Sequence, residues 1–202
     1  DKSVAVVMNG PTLRSDILNL QRSEKELSYI CANHLADTDL FTELKPIVYV
    51  FSDPYFYSEE ASDELVEARN VTFKNIIAKC SWPMIVVIPN KDSLELFSKK
   101  LEENHLVEVC WFNGSGFPSD YNFALGFLWE RGLCAPPGNV LVQSLYLCGF
   151  MSAKKIFILG ANWSFHTNIF VDQETNEFYK VRQHVYGTSK ELGYTCHRKI
   201  KK

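Results

Sequence analysis

Six short apolar runs punctuate the chain, at residues 4–8, 27–31, 47–51, 84–88, 107–112 and 156–159. Continuous runs of this length, rich in β-branched side chains, suit strands buried on both faces, as in a parallel sheet. Helix-like stretches separate several of them. Residues 58–79 carry Glu59, Glu60, Asp63 and Glu64 early and Lys74 and Lys79 late, the charge order that a helix dipole favours. In residues 92–103, Leu94, Phe97 and Leu101 recur at helical spacing, and residues 139–151 form an apolar segment of a length that suits a buried helix. Strands alternating with helices predict βαβ units. The expected fold is therefore α/β, a Rossmann-like and mainly parallel sheet with helices on both faces, in one domain over residues 1–202. Right-handed crossovers then gather the strand C-termini on one edge, the usual place for a ligand. The clearest loops are residues 113–118 and 135–138, no internal repeat is evident, and the basic tail 197–202 is expected to fray.

Composition narrows the function. With 46% hydrophobic and 13% aromatic residues, the 202-residue chain can build a real core, which argues against disorder. A formal net charge of −3 makes a nucleic-acid partner a poor expectation, while leaving room for a small basic site. The six cysteines, Cys31, Cys80, Cys110, Cys134, Cys148 and Cys196, show no CxxC pair, so buried thiols in a reducing compartment are expected rather than zinc. No apolar run approaches the roughly 20 residues of a membrane helix and no secretory leader is evident, so a cytoplasmic protein is expected.

Candidate chemistry collects where strands end. After the first run comes Asn9-Gly10-Pro11-Thr12. Gly10 permits a sharp turn and close backbone approach to a ligand, Pro11 presets φ for a following helix, and Thr12 can cap it. Free amides at such a helix start bind phosphate. The second run ends in Cys31-Ala32-Asn33 and the third in Ser52-Asp53-Pro54, so three successive strands end in small polar groups. An Asn there can read a base or a ribose through donor and acceptor. A further polar and aromatic stretch, Gly160-Ala161-Asn162-Trp163-Ser164-Phe165-His166, follows the last run. Arg182-Gln183-His184-Val185-Tyr186 then offers a neutral-pH base and an anion-binding hydroxyl. For each segment the plainer reading is a turn or a packed side chain, and His166 competes with His184 for the role of base. Asp37-Thr38-Asp39 has the spacing of a metal-binding carboxylate pair but lies in a polar stretch, and capping of a turn is the preferred reading. No G-x-S-x-G elbow, GxGxxG or P-loop is present.

Taken in order, these segments resemble the bacterial sialyltransferases that use CMP-sialic acid and the related DUF115 proteins of surface-polysaccharide gene clusters. Met8-Asn9-Gly10-Pro11-Thr12-Leu13 is similar to the family's G-N-G-P-S-L loop, and Cys31-Ala32-Asn33 to its C-N segment, whose Asn contacts the nucleotide. Ser52-Asp53-Pro54 stands where the sialyltransferases have Asn-Pro, so Asp53 departs from the pattern. Residues 139–142 and 155–164 resemble the "N-V-L-V … K-I-Y-L-L-G-A-D-H-S-W" segment, with Asn162 in place of the usual Asp. His184-Val185-Tyr186 is similar to the H-F-Y that follows. The resemblance spans about residues 4–190, except for residues 59–133. The family continues into further C-terminal helices, so the resemblance implies a core fragment or a short member.

What the resemblance implies is a metal-independent glycosyltransferase that moves a sugar, acidic and CMP-linked, onto a surface glycan. Its partners would be the nucleotide-sugar donor and the glycan acceptor, with no resident cofactor. Asn9, Gly10, Pro11, Thr12, Asn33, Ser52, Asp53, Gly160, Asn162 and Ser164 would line the nucleotide site. His184 would deprotonate the acceptor and Tyr186 would stabilise the leaving phosphate. The cytoplasm, with the inner membrane face as an alternative station, is the implied location, and a homo-oligomer is compatible with it. Two other readings stand beside this one. The first is a 6-hydroxymethylpterin diphosphokinase-like enzyme using ATP and magnesium, and the second is a non-catalytic nucleotide-binding module.

Overall fold

The computed structural model describes residues 3–58, 61–89, 91–111 and 139–162, together with the backbone of residues 169–171, 178–184 and 187–192. Six strands, β1 (Ser3–Val7), β2 (Leu27–Ala32), β3 (Val48–Val50), β4 (Met84–Ile88), β5 (Val107–Trp111) and β6 (Lys155–Leu159), form one all-parallel sheet in the order β5-β4-β3-β2-β1-β6. The expected α/β, Rossmann-like architecture is thus present. The first five strands step steadily to one side, and β6 then pairs with the opposite flank of β1, with Ser3 opposite Lys155 and Val7 opposite Leu159. The strand order reverses between β1 and β6, which opens a crevice at their C-terminal ends.

Helices cover both faces. Helices α1 (Leu13–Ser23), α2 (Leu40–Leu44), α3 (Asp63–Lys79) and α4 (Leu94–Leu101) share one face. Their Leu13, Ile17, Phe41, Phe73, Ile76 and Phe97 pack with Ala5, Val7, Tyr49 and Phe51 of the sheet region. Helix α5 (Val140–Phe150) takes the other face, where Cys148 joins Val4, Val6, Met8 and Ile30. Residues of the inner strands β1, β2 and β3 therefore alternate between two cores rather than between core and water, which is why their runs read as continuously apolar, whereas β4, β5 and β6 leave Ile85, Trp111, Ile156 and Ile158 exposed. Phe51 is the hub of the first core, with ring centroids 4.5–5.6 Å from Phe56, Phe97, Phe73 and Tyr49.

Three features differ from the sequence expectation. Helix α3 begins at Asp63 rather than near residue 58, because the chain first closes a 3-10 turn, Pro54–Phe56. Arg69 fixes that turn from α3, its guanidinium donating to the carbonyls of Tyr55 and Ser58 at 2.8 Å each. The polar stretch after β2 contains a second 3-10 turn, Asn33–Asp37, followed by α2. Finally, β7 (Ile169–Val171), β8 (Phe178–His184) and β9 (Gly187–Leu192) form a separate antiparallel sheet. Among the described residues, no helix is long and apolar enough to cross a membrane.

Candidate functional site

The strand ends predicted to carry chemistry do meet along the C-terminal edge, but in two distinct ways. At the β1/β6 crevice the loops close on each other. Met8 N–H donates to Leu159 O at 2.9 Å, and Gly10 N–H to Gly160 O at 2.8 Å. Both glycines are required by space. A Cβ on Gly10 would overlap Gly160 O and stand 2.5 Å from Asn162 Oδ1, while one on Gly160 would stand 2.5 Å from Met8 O. Gly160 also has φ +62°, a left-handed conformation that glycine adopts without strain.

The polar groups of this crevice satisfy one another. Asn162 Oδ1 accepts from Thr12 N–H at 3.3 Å and lies 2.9 Å from Thr12 Oγ1. The Asp16 carboxylate stands 2.8 Å from that same hydroxyl and accepts from Gly160 N–H at 2.9 Å. Thr12 precedes α1 as expected, yet its side chain makes no capping bond and its hydroxyl turns to Asp16 and Asn162 instead. The amides of Thr12 and Leu13 are engaged, the latter with Gly10 O. Asp16 also places a carboxylate in the first turn of α1, a charge that disfavours a second anion beside it. Gly10 closely approaches Gly160, and Pro11 is exposed in the turn. Asn162 contributes its side-chain oxygen as the acceptor in both contacts.

On the other side of β1 the edge is laced but not closed. Asn9 Nδ2–H donates to Ala32 O at 3.3 Å, tying β1 to β2. Asn33 Nδ2–H donates to Asp53 Oδ2 at 2.7 Å, tying β2 to β3. Asn33 takes φ +51°, a left-handed conformation that Asn tolerates better than most residues. The buried Tyr49 hydroxyl holds it there, donating to Asn33 O at 2.5 Å and accepting from Ala36 N–H at 2.8 Å. Because each amide nitrogen is committed, each amide oxygen is fixed as well. Asn9 Oδ1 and Asn33 Oδ1 are both buried and have no hydrogen-bond partner. Leaving such an acceptor unpaired costs about 1–3 kcal/mol. Two of them side by side on neighbouring strand ends read as acceptors that await donors. Ser52 is half-buried at the same edge.

Sequence reasoning missed a side-chain cluster directly behind Asn33. His34 Nδ1 lies 2.7 Å from Thr72 Oγ1 and 3.1 Å from Asp37 Oδ2, and its Nε2 meets the Tyr55 hydroxyl. Thr72 Oγ1 is 2.9 Å from Asp37 Oδ2, and Asn75 Nδ2–H donates to Asp37 Oδ1 at 2.8 Å. A proton on Nδ1 satisfies Thr72 and Asp37, leaving Nε2 to accept from Tyr55 O–H. Burial alone would raise the Asp37 carboxyl, but the bonds from His34, Asn75 and Thr72 and the nearby imidazole outweigh it and hold the group below its ordinary value. The cluster pins the Asn33–Asp37 turn to α3 and to the Pro54–Phe56 turn. The only sequence signal was an imidazole immediately after a strand-end Asn.

Asp37 and Asp39 do not converge: Asp37 is engaged inward, while Asp39 pairs with Arg14 at 2.5 Å on the surface. Cys31, Cys80, Cys110 and Cys148 are free thiols that burial pushes up, Cys148 to about 11, so they are neutral and unsuited as nucleophiles. His184 ends β8 opposite Gly187 in the backbone register. Ser164, His166 and Tyr186 lie outside the described residues, as do Cys134 and Cys196. No family model matches the chain, and no curated protein sequence matches it significantly.

Proposed function

We propose that this domain binds a nucleotide-activated sugar at the β1–β2–β3 edge and transfers the sugar as a glycosyltransferase, with a CMP-linked acidic sugar as donor. The observation that supports this reading most directly is the pair of fixed, unpaired acceptors, Asn9 Oδ1 and Asn33 Oδ1. Acceptors select ligands that bring donors. Cytosine presents an exocyclic N4 amine where uracil-type bases present a carbonyl oxygen, and ribose hydroxyls supply further donors. Asp53, joined to Asn33 at the end of β3, adds carboxylate character that suits a ribose.

In the transfer step, the bond between the anomeric carbon and the donor phosphate oxygen breaks as the acceptor oxygen bonds to that carbon. The acceptor proton passes to an imidazole, and CMP departs as the phosphate anion. The resemblance assigns the imidazole to His184 and phosphate stabilisation to Tyr186. His34 is less suited to the task, since both of its ring nitrogens already have partners. One observation favours a second reading, a nucleoside-binding module without transfer activity. The first turn of α1 carries Asp16 and engaged amides where a phosphate would be expected.

Titration calorimetry tests the binding. CMP is expected to bind in preference to UMP and ATP without divalent metal, whereas UDP binding that strictly requires manganese would overturn the reading. Turnover tests the chemistry. His184→Ala is expected to lower sugar transfer about 100- to 10,000-fold with little change in CMP affinity. Near-normal turnover in His184→Ala, with collapse in His166→Ala, would move the base to His166.

A further inference from the structure

Among the described residues, buried side-chain nitrogen and oxygen atoms without a partner occur on only three residues, and all three are amides: Asn9, Asn33 and Gln143. Gln143 is the extreme case, being fully buried with neither Oε1 nor Nε2 partnered. Its neighbour Ser144 is buried too, yet satisfies itself by donating to Val140 O at 2.8 Å. An unpaired amide in an otherwise apolar helix therefore needs its own explanation.

Its place in the fold supplies one. Helix α5 leads directly into β6, which is parallel to β1, so the helix runs back along the sheet and its first turn stands at the C-terminal strand edge. Asn139 caps that turn, its Oδ1 accepting from Val142 N–H at 3.1 Å. Cys148 marks the level of Val4, Val6 and Met8 in the shared core. Gln143 is five residues earlier, roughly 7.5 Å closer to the edge on which Asn9 and Asn33 sit.

We infer that Gln143 is a third nucleoside-contacting amide, reaching the base from the α5 side of the sheet. This deepens the nucleotide reading and rests on it. The three amides divide the task. Asn9 and Asn33 are locked as acceptors, because their nitrogens are committed to Ala32 and Asp53. Gln143 is buried with neither end of its amide partnered, and its donor and acceptor together match a base edge that sets a donor beside an acceptor, as N4 and N3 of cytosine do.

Gln143→Met keeps the length and apolar stem of the side chain while deleting the amide. Calorimetry with cytidine and CMP, alongside melting without ligand, tests it. The expected result is a tenfold or greater loss of affinity for cytidine and CMP alike, with a ligand-free melting temperature no lower than that of the wild type. Unchanged cytidine affinity in the variant, with normal wild-type binding, overturns the role of Gln143 and leaves the nucleotide reading standing. A loss confined to CMP also overturns it, since the contact would then be to phosphate. A lowered ligand-free melting temperature overturns it independently, because the amide would then be satisfied within the core. If the wild type binds neither cytidine nor CMP, the nucleotide reading falls and this inference falls with it.

Discussion

Two neighbouring stretches of one strand edge are built on opposite terms. At β1/β6, Gly10, Thr12, Asp16, Gly160 and Asn162 leave little unspent: amides, hydroxyl and carboxylate answer one another across loops too close for a Cβ. At β1/β2, Asn9 and Asn33 use their nitrogens to lace the strands and leave their oxygens buried without partners. The switch point of a parallel sheet draws attention to the first stretch, and glycine-rich loops there are readily taken for phosphate cradles. The bonding shows that a topological crevice can be a clasp. The unpaired atoms lie one strand over.

The comparison breaks most severely at the clasp. Gly10→Val would drive a branched side chain into Gly160 O and Asn162 Oδ1, and is expected to cost about 3 kcal/mol or more of stability, read as a lowered urea midpoint. A variant that folds normally would mean that the two loops can part without penalty. Asn33→Gly sharpens the other side. Glycine accepts φ +51° and removes the waiting oxygen along with the bond to Asp53. It is expected to weaken CMP binding about tenfold or more in calorimetry while changing stability by only about 1 kcal/mol.

A smaller effect is expected behind the edge. Asp37→Asn should cost about 1–2 kcal/mol at neutral pH, since it removes a charged acceptor from His34, Thr72 and Asn75. The carboxyl is depressed in the folded state, so its contribution is fully present above its ordinary value of 3.8 and fades as pH falls below that toward the folded-state value. Wild type and variant should accordingly converge in stability in acid, below about pH 4. A gap that persists undiminished at pH 2 would mean that the charge of Asp37 plays no part.

The sheet was legible because its inner strands β1, β2 and β3, packed on both faces, are apolar along nearly their whole length, and β4 and β6 stay mostly apolar although they expose Ile85, Ile156 and Ile158. Residues 84–88 illustrate this, since expected and observed bounds of β4 coincide. The antiparallel sheet of β7–β9 was not legible: KVRQH within β8 and GTSKE within β9 are polar runs without the alternation that marks a half-buried strand. Asn9, Asn33 and Asp53 were found because strand ends can be read locally. His34 was passed over because Thr72, which it meets, and Asn75, which holds its neighbour Asp37, each lie 38 positions from the residue they bind, and only the packing of α3 brings them together. Gln143 was hidden in a largely apolar helix, where it and Ser144 look incidental until the lack of partners of Gln143 is seen.

The pairing of Ser3 with Lys155 also gives this fold a calendar. Strand β1 is made first and stays an open, valine-rich edge on the β6 side until some 150 residues later. At ordinary translation rates of about 5–20 residues per second, that wait is on the order of 8–30 seconds. During it, β2 through β5 can register on one flank of β1, while the other flank offers free peptide groups to any passing strand. The clasp of Gly10 and Gly160 can engage only when β6 arrives, so this contact forms after the rest of the sheet has been made. A chain stalled before residue 155 would expose the aggregation-prone flank of its first strand.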